Sequence, residues 1–531
     1  GLIGQSLSIG STIRNSSADV NYIYSAGDSQ FIGGLVGQTD GNIYDSSVVF
    51  SRIDVNKSSG TYGYFGGLGG KVGFVSGCSS VGEGIDVTLG VWSGGSNNGG
   101  YVGGLVGYSK YGVRGSSSRG DFILANKNNG SNVGGLVGST TGLVVDSNAF
   151  FGEVRGYNSV GGLVGNYFVG SGGGGYLRGL FADVGVVSAS YGYYSQVGGL
   201  VGHISGASGV LVDFNDSSVR VGVVSGGNYV GGAVGYAEAS SNDDATGVLF
   251  NNLDVNVYDK IISTGHDVGG LVGNIFSKGG SIRGSGVDVN YISVVGNSSS
   301  YVGGLVGKTD GNIYNSHSVA QIDVNKNSSS PDYLYLGGLA GQASFIDECY
   351  SDVNIDISIG TYSGKRVGGL VGLIDKGVKN SYSKGGYILA TKNNGNSIGG
   401  LVGYVNSSYV LIENSYSSIE EIIKGNNHYA GGLIGYATSG TMVTNSFSTT
   451  TMNSTGGGNV GGLIGYPSPV SGCTNSYYLE GNEVMLYSAS PSSVSSSGVD
   501  YFKGNLTNEP MVNWSSLIWV SEANNYPQLI N

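Results

Sequence analysis

The sequence predicts an all-β protein, a parallel β-solenoid (β-helix) of about 15 rungs with a C-terminal cap. The motif Gly-Gly-Leu-Val-Gly, with small variations, occurs 14 times between Gly33 and Gly465, and a shortened copy opens the chain at Gly1–Gly4. The central residues of the copies are 27 to 38 residues apart, a period that indicates stacked structural repeats. Each repeat also holds three short runs of β-branched residues, which favour strands, and few helix formers.

The repeats follow one order. A first run leads into the motif, as in Tyr101–Leu105, and a polar turn follows, as in Thr39–Asn42, where glycine accepts a positive φ. A second run carries small polar residues, as in Val378–Ser383, and a third alternates, as in Arg52–Asn56. Three short strands joined by turns therefore form each predicted rung.

Side-chain alternation along the motif predicts two opposite apolar faces, one of which lines the solenoid core while the other needs a cover. If the motif is one continuous strand, Leu105 points away from Val102 and Val106. The cysteines each fall ten residues after a central leucine, a repeated position that predicts buried free thiols on rungs that are not adjacent. They are Cys78, Cys349 and Cys473.

Composition excludes several classes of protein. The 531 residues include 102 glycines but only 6 prolines, which is typical of neither collagen nor a disordered linker. A net charge of −12 argues against a nucleic-acid partner, because phosphate binding needs a basic surface. The sequence has no apolar run near the 18 residues of a membrane-spanning helix.

The repeats are themselves duplicated. Ser29–Lys57 closely matches Ser299–Lys326, which predicts that the solenoid, residues 1–478, arose from a block repeated at roughly 1–265 and 266–478. Five of the six prolines lie after residue 465, and proline cannot donate to a strand ladder. Residues 479–531 are therefore predicted to be the C-terminal cap.

The chain resembles the GLUG-motif repeats of bacterial and archaeal surface proteins. The resemblance covers roughly Gly1 to Tyr478 and consists in the repeated pairing of Gly-Gly-Leu-Val-Gly with Asn-Ser-Tyr-Ser. Such repeats also occur in accessory regions of some IgA-specific peptidases. The segment from Trp514 to Leu529 is similar to the closing segment of such arrays. The resemblance implies an extracellular, cell-surface β-solenoid used for attachment or architecture, and it implies no catalytic chemistry.

Two classes of function compete. The first is a structural subunit that self-assembles, head-to-tail and laterally, into a surface layer, sheath or filament. The second is an adhesin that binds glycans or a host surface through its tyrosine-rich loops. A polysaccharide-active enzyme is a third alternative, because β-helices can host paired carboxylates. We expect that the chain is not an enzyme.

The third run repeatedly carries an aspartate. Aligned rungs would stack these carboxylates about 4.8 Å apart, and a Ca²⁺ ion would relieve their repulsion. The alternative is a solvated outer face without a cation. The candidate Ca²⁺ ligands are Asp19, Asp54, Asp86, Asp254, Asp288, Asp323 and Asp356.

Two further sets of residues are candidates for a function, one for contacts between subunits and one for glycosylation. A polymer formed head-to-tail would join the first rung to large apolar side chains of the tail. Its candidate contacts are Gly1, Leu2, Ile3, Gly4, Trp514 and Trp519.

Ten sequons mark candidate N-glycosylation sites. They are Asn15, Asn56, Asn129, Asn215, Asn297, Asn327, Asn406, Asn453, Asn505 and Asn513.

Overall fold

In the computed structural model the chain is all-β, about 2% helical, and forms a parallel β-solenoid of about 12 turns. The predicted fold class is confirmed, although about 15 rungs were expected. The structure describes residues 2–8, 10–27, 30–57, 63–89, 100–126, 131–190, 194–239, 246–295, 300–325, 333–359, 365–391, 396–426, 428–454, 458–468, 472–479, 494–504 and 506–530.

Contacts divide the chain into two units. Unit 1 comprises Gly1–Thr264 and Leu271–Gly280, and unit 2 comprises Gly265–Gly270 and Ser281–Asn531. A turn contains a leading strand that ends at the first motif glycine, a second strand that begins after the motif leucine, and a third strand. A short strand precedes the third strand in some turns and merges with the second or third strand in others.

In unit 1 the strands fall into these four groups. The leading strands are Phe31–Gly33, Gly63–Gly66, Gly100–Gly103, Asn132–Gly134, Ser159–Gly161, Gln196–Gly198 and Tyr229–Gly231. The second strands are Ile3–Ser6, Val36–Thr39, Gly69–Ser76, Val106–Arg114, Val137–Thr140, Val164–Val169, Val201–Gly206, Val234–Ala239 and Val272–Phe276. The short strands are Thr12–Arg14, Asn42–Tyr44, Leu143–Val145 and Gly175–Arg178. The third strands are Ser17–Ala26, Ser47–Lys57, Ser79–Leu89, Ser117–Asn126, Asn148–Gly156, Phe181–Ala189, Leu211–Gly226 and Gly247–Ser263.

Unit 2 repeats the same groups. Its leading strands are Asp267–Gly269, Ser300–Gly303, Leu334–Gly337, Lys365–Gly368, Ser397–Gly399, Tyr429–Gly431 and Val460–Gly461. Its second strands are Val306–Thr309, Ala340–Asp347, Val371–Lys379, Val402–Val405, Ile434–Ala437 and Ile464–Pro467. Its short strands are Ser281–Arg283, Asn312–Tyr314, Leu411–Glu413, Met442–Thr444 and Gly472–Thr474. Its third strands are Gly286–Val294, His317–Asn325, Tyr350–Ile359, Tyr382–Ala390, Tyr416–Lys424, Phe447–Ser448, Thr451–Ser454, Ser476–Leu479 and Val494–Ser497.

The motif is a corner and not a continuous strand. One strand ends at Gly33, the chain bends at Gly34 and Leu35, and the next strand begins at Val36 in a different sheet. The predicted alternation across the motif was therefore wrong, and both Leu35 and Val36 are fully buried. A Cβ atom on Gly33 would lie 2.3 Å from the Val36 carbonyl oxygen, so only glycine permits this tight corner.

The core consists of stacked leucine, valine and isoleucine side chains. Leu105, Leu305 and Leu433 are fully buried, as is typical of the motif leucines beyond the first copy. Cys78, Cys349 and Cys473 are buried and free, which confirms their predicted state. Burial raises the pKa of all three thiols, that of Cys473 to about 12. Each cysteine therefore acts as a small apolar core residue.

A column of serines stabilises the turn into the third strand of unit 2. Asn380 and Asn414 precede Ser381 and Ser415 with a positive φ, because asparagine tolerates the left-handed conformation. The Ser381 amide donates to Ser415 Oγ at 3.2 Å, and the Ser415 amide donates to Ser446 Oγ at 3.2 Å. The small polar residues of the second run thus link one rung to the next.

The tail packs on the side of unit 2. Val494–Ser497 pairs in parallel with Ser476–Leu479 and extends the third-strand ladder. Two 3₁₀ turns follow, Val499–Phe502 and Met511–Asn513, and Trp519–Val520 then pairs antiparallel with Gln528–Leu529. None of the helices among the described residues is long and apolar enough to cross a membrane.

Candidate functional site

The predicted aspartate ladder is broken. Asp54 lies opposite Asp86, and Asp323 lies opposite Asp356 on a neighbouring rung. The other candidates face different residues, because turns of unequal length shift the position of the aspartate along the strand. Asp19 lies opposite Val49, Asp254 opposite Ser218 and Asp288 opposite Val319.

Arg52 neutralises the first aspartate pair. Its Nε lies 2.6 Å from Asp54 Oδ1, and its Nη2 lies 3.4 Å from Asp86 Oδ2. The Tyr22 hydroxyl donates to Asp54 Oδ2 at 2.7 Å. Burial, followed by the charge of Asp54, raises the pKa of Asp86, while Arg52 opposes that rise. A guanidinium of the chain thus supplies the positive charge for which a Ca²⁺ ion was predicted.

The second pair repeats part of this arrangement. The Tyr291 hydroxyl donates to Asp323 Oδ2 at 2.6 Å, as Tyr22 does to Asp54. Gln321 stands at the sequence position that Arg52 has in the first block. Within the described ranges, no three histidine, cysteine, aspartate or glutamate side chains are grouped to hold a metal ion. Two carboxylates alone do not supply the six to eight oxygen ligands that Ca²⁺ takes.

The glycosylation candidates are distributed along both units. Asn129, Asn297, Asn327 and Asn505 lie outside the described residues. Asn215 is partly buried and accepts a hydrogen bond from Asn251. The remaining sequon asparagines are exposed: Asn15, Asn56, Asn406, Asn453 and Asn513.

The tryptophans proposed as polymer contacts are buried within unit 2. Trp514 is 6% exposed and Trp519 is 1% exposed, and their ring centroids lie 4.5 Å apart. They pack against a stack of Tyr382, Tyr416 and Phe447, whose neighbouring rings are 4.8 Å apart. The expectation that they stay free to anchor another subunit was wrong, because the chain itself offers this aromatic surface.

The other residues predicted to form the head-to-tail polymer contact lie at the first rung. Leu2 is 66% exposed, and Ile3 pairs with Val36 on the next strand. Gly4 lies in the same strand, and a Cβ atom there would meet nothing within 4 Å. Gly1 lies outside the described residues.

Unit 2 carries a surface that the sequence reasoning did not identify, here named the aromatic stripe. Its members are half-buried, and each comes from a different rung. Neighbouring members stack at about the spacing of adjacent strands. The aromatic stripe comprises Tyr301, Tyr335, Arg366, Tyr404, Tyr436 and Tyr466.

The stacking distances make the stripe continuous. The rings of Tyr301 and Tyr335 are 4.7 Å apart, and Arg366 Cζ lies 5.0 Å from the centre of the Tyr335 ring. The same guanidinium carbon lies 3.8 Å from the centre of the Tyr404 ring. Tyr404 and Tyr436 are 4.9 Å apart. Arg366 therefore joins tyrosines of the leading strands to tyrosines of the second strands.

Two sequence positions build the stripe. Tyr301 and Tyr335 come two residues before the first motif glycine, while Tyr404, Tyr436 and Tyr466 come three residues after the motif leucine. The corner brings these two columns to adjacent parts of the surface. A count of tyrosines at those two offsets would have predicted two aromatic columns, but their junction at Arg366 depends on the corner geometry.

The stripe combines stacked, protonated tyrosines with two cations, Arg366 in its middle and Lys308 beside Tyr301. Burial raises the pKa of Tyr301 to about 12 and also raises that of Tyr436, so these phenols stay protonated at neutral pH. Lys308 Nζ lies 5.0 Å from the centre of the Tyr301 ring. Tyrosine combines an apolar ring with a polar hydroxyl, which suits binding surfaces that remain partly wet. Unit 1 has a shorter counterpart in the stacked rings of Phe31, Tyr64 and Tyr101.

No family model matches the chain, and neither the curated proteins nor the solved structures show a detectable similarity to it.

Proposed function

We propose that the chain is an extracellular adhesin that binds glycans non-catalytically through the aromatic stripe. The continuous stack from Tyr301 to Tyr466 carries this proposal. Sugar rings present apolar C–H groups beside hydroxyl groups, and the stacked, half-buried tyrosines offer a row of ring edges beside hydrogen-bonding hydroxyl groups. The resemblance to GLUG-motif surface proteins supports a location at the cell surface.

The repeating geometry favours a polymer over a single sugar. Consecutive rings of the stripe stack 4.9 Å apart at Tyr404, Tyr436 and Tyr466, so their edges form one row. A chain of sugars contacts several such rings at once, and linked weak contacts raise the overall affinity. The ligand class proposed for the stripe is therefore an oligosaccharide or polysaccharide.

A pair of substitutions tests the proposal. Truncating an interface aromatic at a hot spot typically costs more than about 1 kcal/mol. We therefore expect Tyr404→Ala with Tyr436→Ala to weaken binding to the best ligand on a glycan array by about tenfold or more. Tyr409→Ala is the matched control, because Tyr409 is 83% exposed and is not a member of the stripe. Equal binding by the double variant and the control would refute the proposal.

A self-assembling structural protein is the second candidate, favoured by one observation. Unit 1 exposes apolar side chains on adjacent third strands, where Val49, 52% exposed, lies opposite Val81, 45% exposed. Tyr22 and Tyr24 are also more than half exposed. Lateral association would cover these side chains. Regular polymers of the purified chain in electron micrographs, without added glycan, would favour this candidate over the adhesin.

A further inference from the structure

Arg366 lies in the middle of the aromatic stripe. In the register of the leading strands it is the partner of Tyr335, which in turn is the partner of Tyr301, so it takes the place of a third tyrosine in that column. Its partner on the next rung is Ser397, whose side chain is short. One arginine therefore separates the two sets of tyrosine rings that make up the stripe.

Two tyrosines hold the guanidinium group of Arg366 in place. Its Cζ lies 3.8 Å from the centre of the Tyr404 ring and 5.0 Å from the centre of the Tyr335 ring. Its Nη1 donates to the Tyr335 hydroxyl at 3.3 Å, which is the one side-chain hydrogen bond of Arg366 among the described residues. A guanidinium group has several N–H donors in one plane, so most of them stay available. Because Arg366 is half-buried, a ligand on the stripe can reach these donors.

No carboxylate of the chain neutralises Arg366 directly. Among the described residues, none lies within ion-pair distance of its guanidinium group. Asp375 lies on the second strand of the same rung, but it accepts a hydrogen bond from Asn406 at 2.8 Å instead of pairing with Arg366. The charge of Arg366 is therefore held by aromatic rings and has no ion-pair partner in the described part of the chain.

The two halves of the stripe differ in the acidic groups that act on their rings. Burial raises the pKa of Tyr301, and the charges of Asp267 and Asp310 add to that rise. At Tyr436, burial and the neighbouring tyrosines raise the pKa, and no carboxylate of the described residues contributes. Around Tyr436 the stripe is therefore free of nearby acidic charge, so a negatively charged ligand meets Arg366 there without a competing carboxylate.

We propose that the aromatic stripe is selective for glycans that carry carboxylate groups, and that Arg366 is the residue that selects them. The carboxylate of a uronic acid unit pairs with the planar N–H groups of Arg366, because an arginine can donate two parallel hydrogen bonds to a carboxylate. The rest of the sugar chain lies along the ring edges of Tyr404 and Tyr436. The inference rests on the proposed function, since it takes the stripe as a glycan site and adds the class of glycan.

Calorimetry on the full chain tests this selectivity. The probes are tetramers of galacturonate, glucuronate and mannuronate, each used as the acid and as its uncharged methyl ester. We expect the preferred acid to bind more tightly than its ester by about tenfold or more, because the ester cannot form the charge-assisted pair with Arg366. We expect Arg366→Gln to lower the ratio of the two affinities by about tenfold, since glutamine keeps polar contacts but carries no charge.

Two further variants separate the charge of Arg366 from its shape and from its contacts with aromatic rings. Arg366→Lys keeps the charge but lacks the planar fork, so it should bind the acid more weakly than the unsubstituted chain does and still prefer the acid to the ester. Arg283→Gln is the matched control. Arg283 also lies over a tyrosine, with its Cζ 4.3 Å from the centre of the Tyr314 ring, but it is not a member of the stripe. It should keep the full preference for the acid.

The outcomes distinguish this inference from the proposed function. Equal affinities for acid and ester, or the same preference in Arg366→Gln as in Arg283→Gln, would overturn the inference. Displacement of the acid by an equal concentration of inorganic sulfate would also overturn it, because the site would then bind anions in general. If acid and ester bind equally and the Tyr404→Ala, Tyr436→Ala variant loses both, the glycan function stands and only the selectivity is wrong. If that variant binds both probes like the unsubstituted chain, the proposed function fails and the inference fails with it.

Discussion

Lys365 and His428 are basic groups that the rungs of unit 2 bury away from water. Lys365 is 3% exposed, and its Nζ has no hydrogen-bond partner among the described residues. Burial lowers the pKa of Lys365 to about 8. His428 is fully buried and lies 3.3 Å from Asn396 Nδ2. Burial, followed by the charges of Lys424 and Lys365, lowers the pKa of His428 to about 4.

Each of these lowered pKa values, taken by itself, makes the free energy of unfolding rise with pH. The two pH intervals are separate. The unfolded chain binds more protons than the folded chain between pH 8 and the ordinary lysine pKa of about 10.4. It also binds more protons between pH 4 and the ordinary histidine pKa of about 6.5. His428 therefore lowers the free energy of unfolding as pH decreases through its interval. Lys365 acts in the same direction through the alkaline interval, where the three buried thiols act in the opposite direction because their pKa is raised.

Lys365→Met tests the alkaline interval. The substitution removes a buried ammonium group, so we expect a Tm above that of the unsubstituted chain at pH 7.5 and a difference in Tm that shrinks towards pH 9.5. The measurement is thermal unfolding followed by circular dichroism. It stops at pH 9.5 because the raised pKa of buried tyrosines such as Tyr416 destabilises the fold at higher pH. Lys379→Met, on the surface, is the control, and identical slopes for both variants would contradict the argument.

At the scale of the strand and turn, the motif corner is stabilised by packing between rungs. The Ser383 hydroxyl donates to the Gly400 carbonyl at 2.6 Å, and the Ser351 hydroxyl donates to the Gly369 carbonyl at 2.7 Å. A Cβ atom on Gly400 would lie 2.2 Å from the Gly432 carbonyl oxygen. The second motif glycine thus allows the backbones of successive corners to approach each other closely.

Gly400→Ala tests this role of the corner glycine. The added methyl group would push two rungs apart, so we expect a loss of about 1–3 kcal/mol in the free energy of unfolding, measured in urea. Gly498→Ala is the control, since a Cβ atom at Gly498 meets nothing within 4 Å. A Gly400→Ala variant as stable as the control would show that the rungs shift freely.

For the chain as a whole, the C-terminal tail belongs to the core of unit 2. The Trp514 Nε1 group donates to the Asn445 carbonyl at 2.9 Å, and the Tyr416 hydroxyl donates to the Pro527 carbonyl at 2.6 Å. These contacts join residues that are 69 and 111 positions apart. The tail therefore covers the aromatic stack of the third strands. It also lines, together with those strands, a cavity of about 620 Å³.

Trp514→Ala tests whether the tail stabilises unit 2. Removing a buried tryptophan typically costs about 3–5 kcal/mol, so we expect a clear loss of stability in urea. The same variant should bind more of an apolar dye, because the rings of Tyr416 and Phe447 lose part of their cover. Leu517→Ala is the control, as Leu517 is 87% exposed. Unchanged unfolding and dye binding in Trp514→Ala would contradict this role.

Each unit contains the same local arrangement of one tyrosine and two aspartates. In unit 1 Tyr22 donates to Asp54, which lies opposite Asp86, and in unit 2 Tyr291 donates to Asp323, which lies opposite Asp356. The first set has Arg52 as its cation. The same local arrangement at matched sequence positions is what a duplicated block would leave.

The sequence by itself determined the parallel β-solenoid and the buried cysteines. The strand pattern repeats from rung to rung, and the cysteines recur at one position of it, so the period places them on the same side of the strand. Cys78 was therefore assigned to the core from its spacing alone, whereas the burial of Leu105 was settled only by the corner in the structure. Asn380 and Ser381 were assigned to the second strand, but the structure places them in the turn between Val371–Lys379 and Tyr382–Ala390.

The tertiary structure alone decided the features that depend on register and on distant contacts. Turns of unequal length moved Asp19 and Asp288 out of line with the other aspartates, which a fixed period cannot show. The corner at the motif brought Tyr335 and Tyr404 to one guanidinium group. The tail folded onto Tyr416 instead of remaining free, because burial of aromatic rings depends on surfaces far apart in sequence.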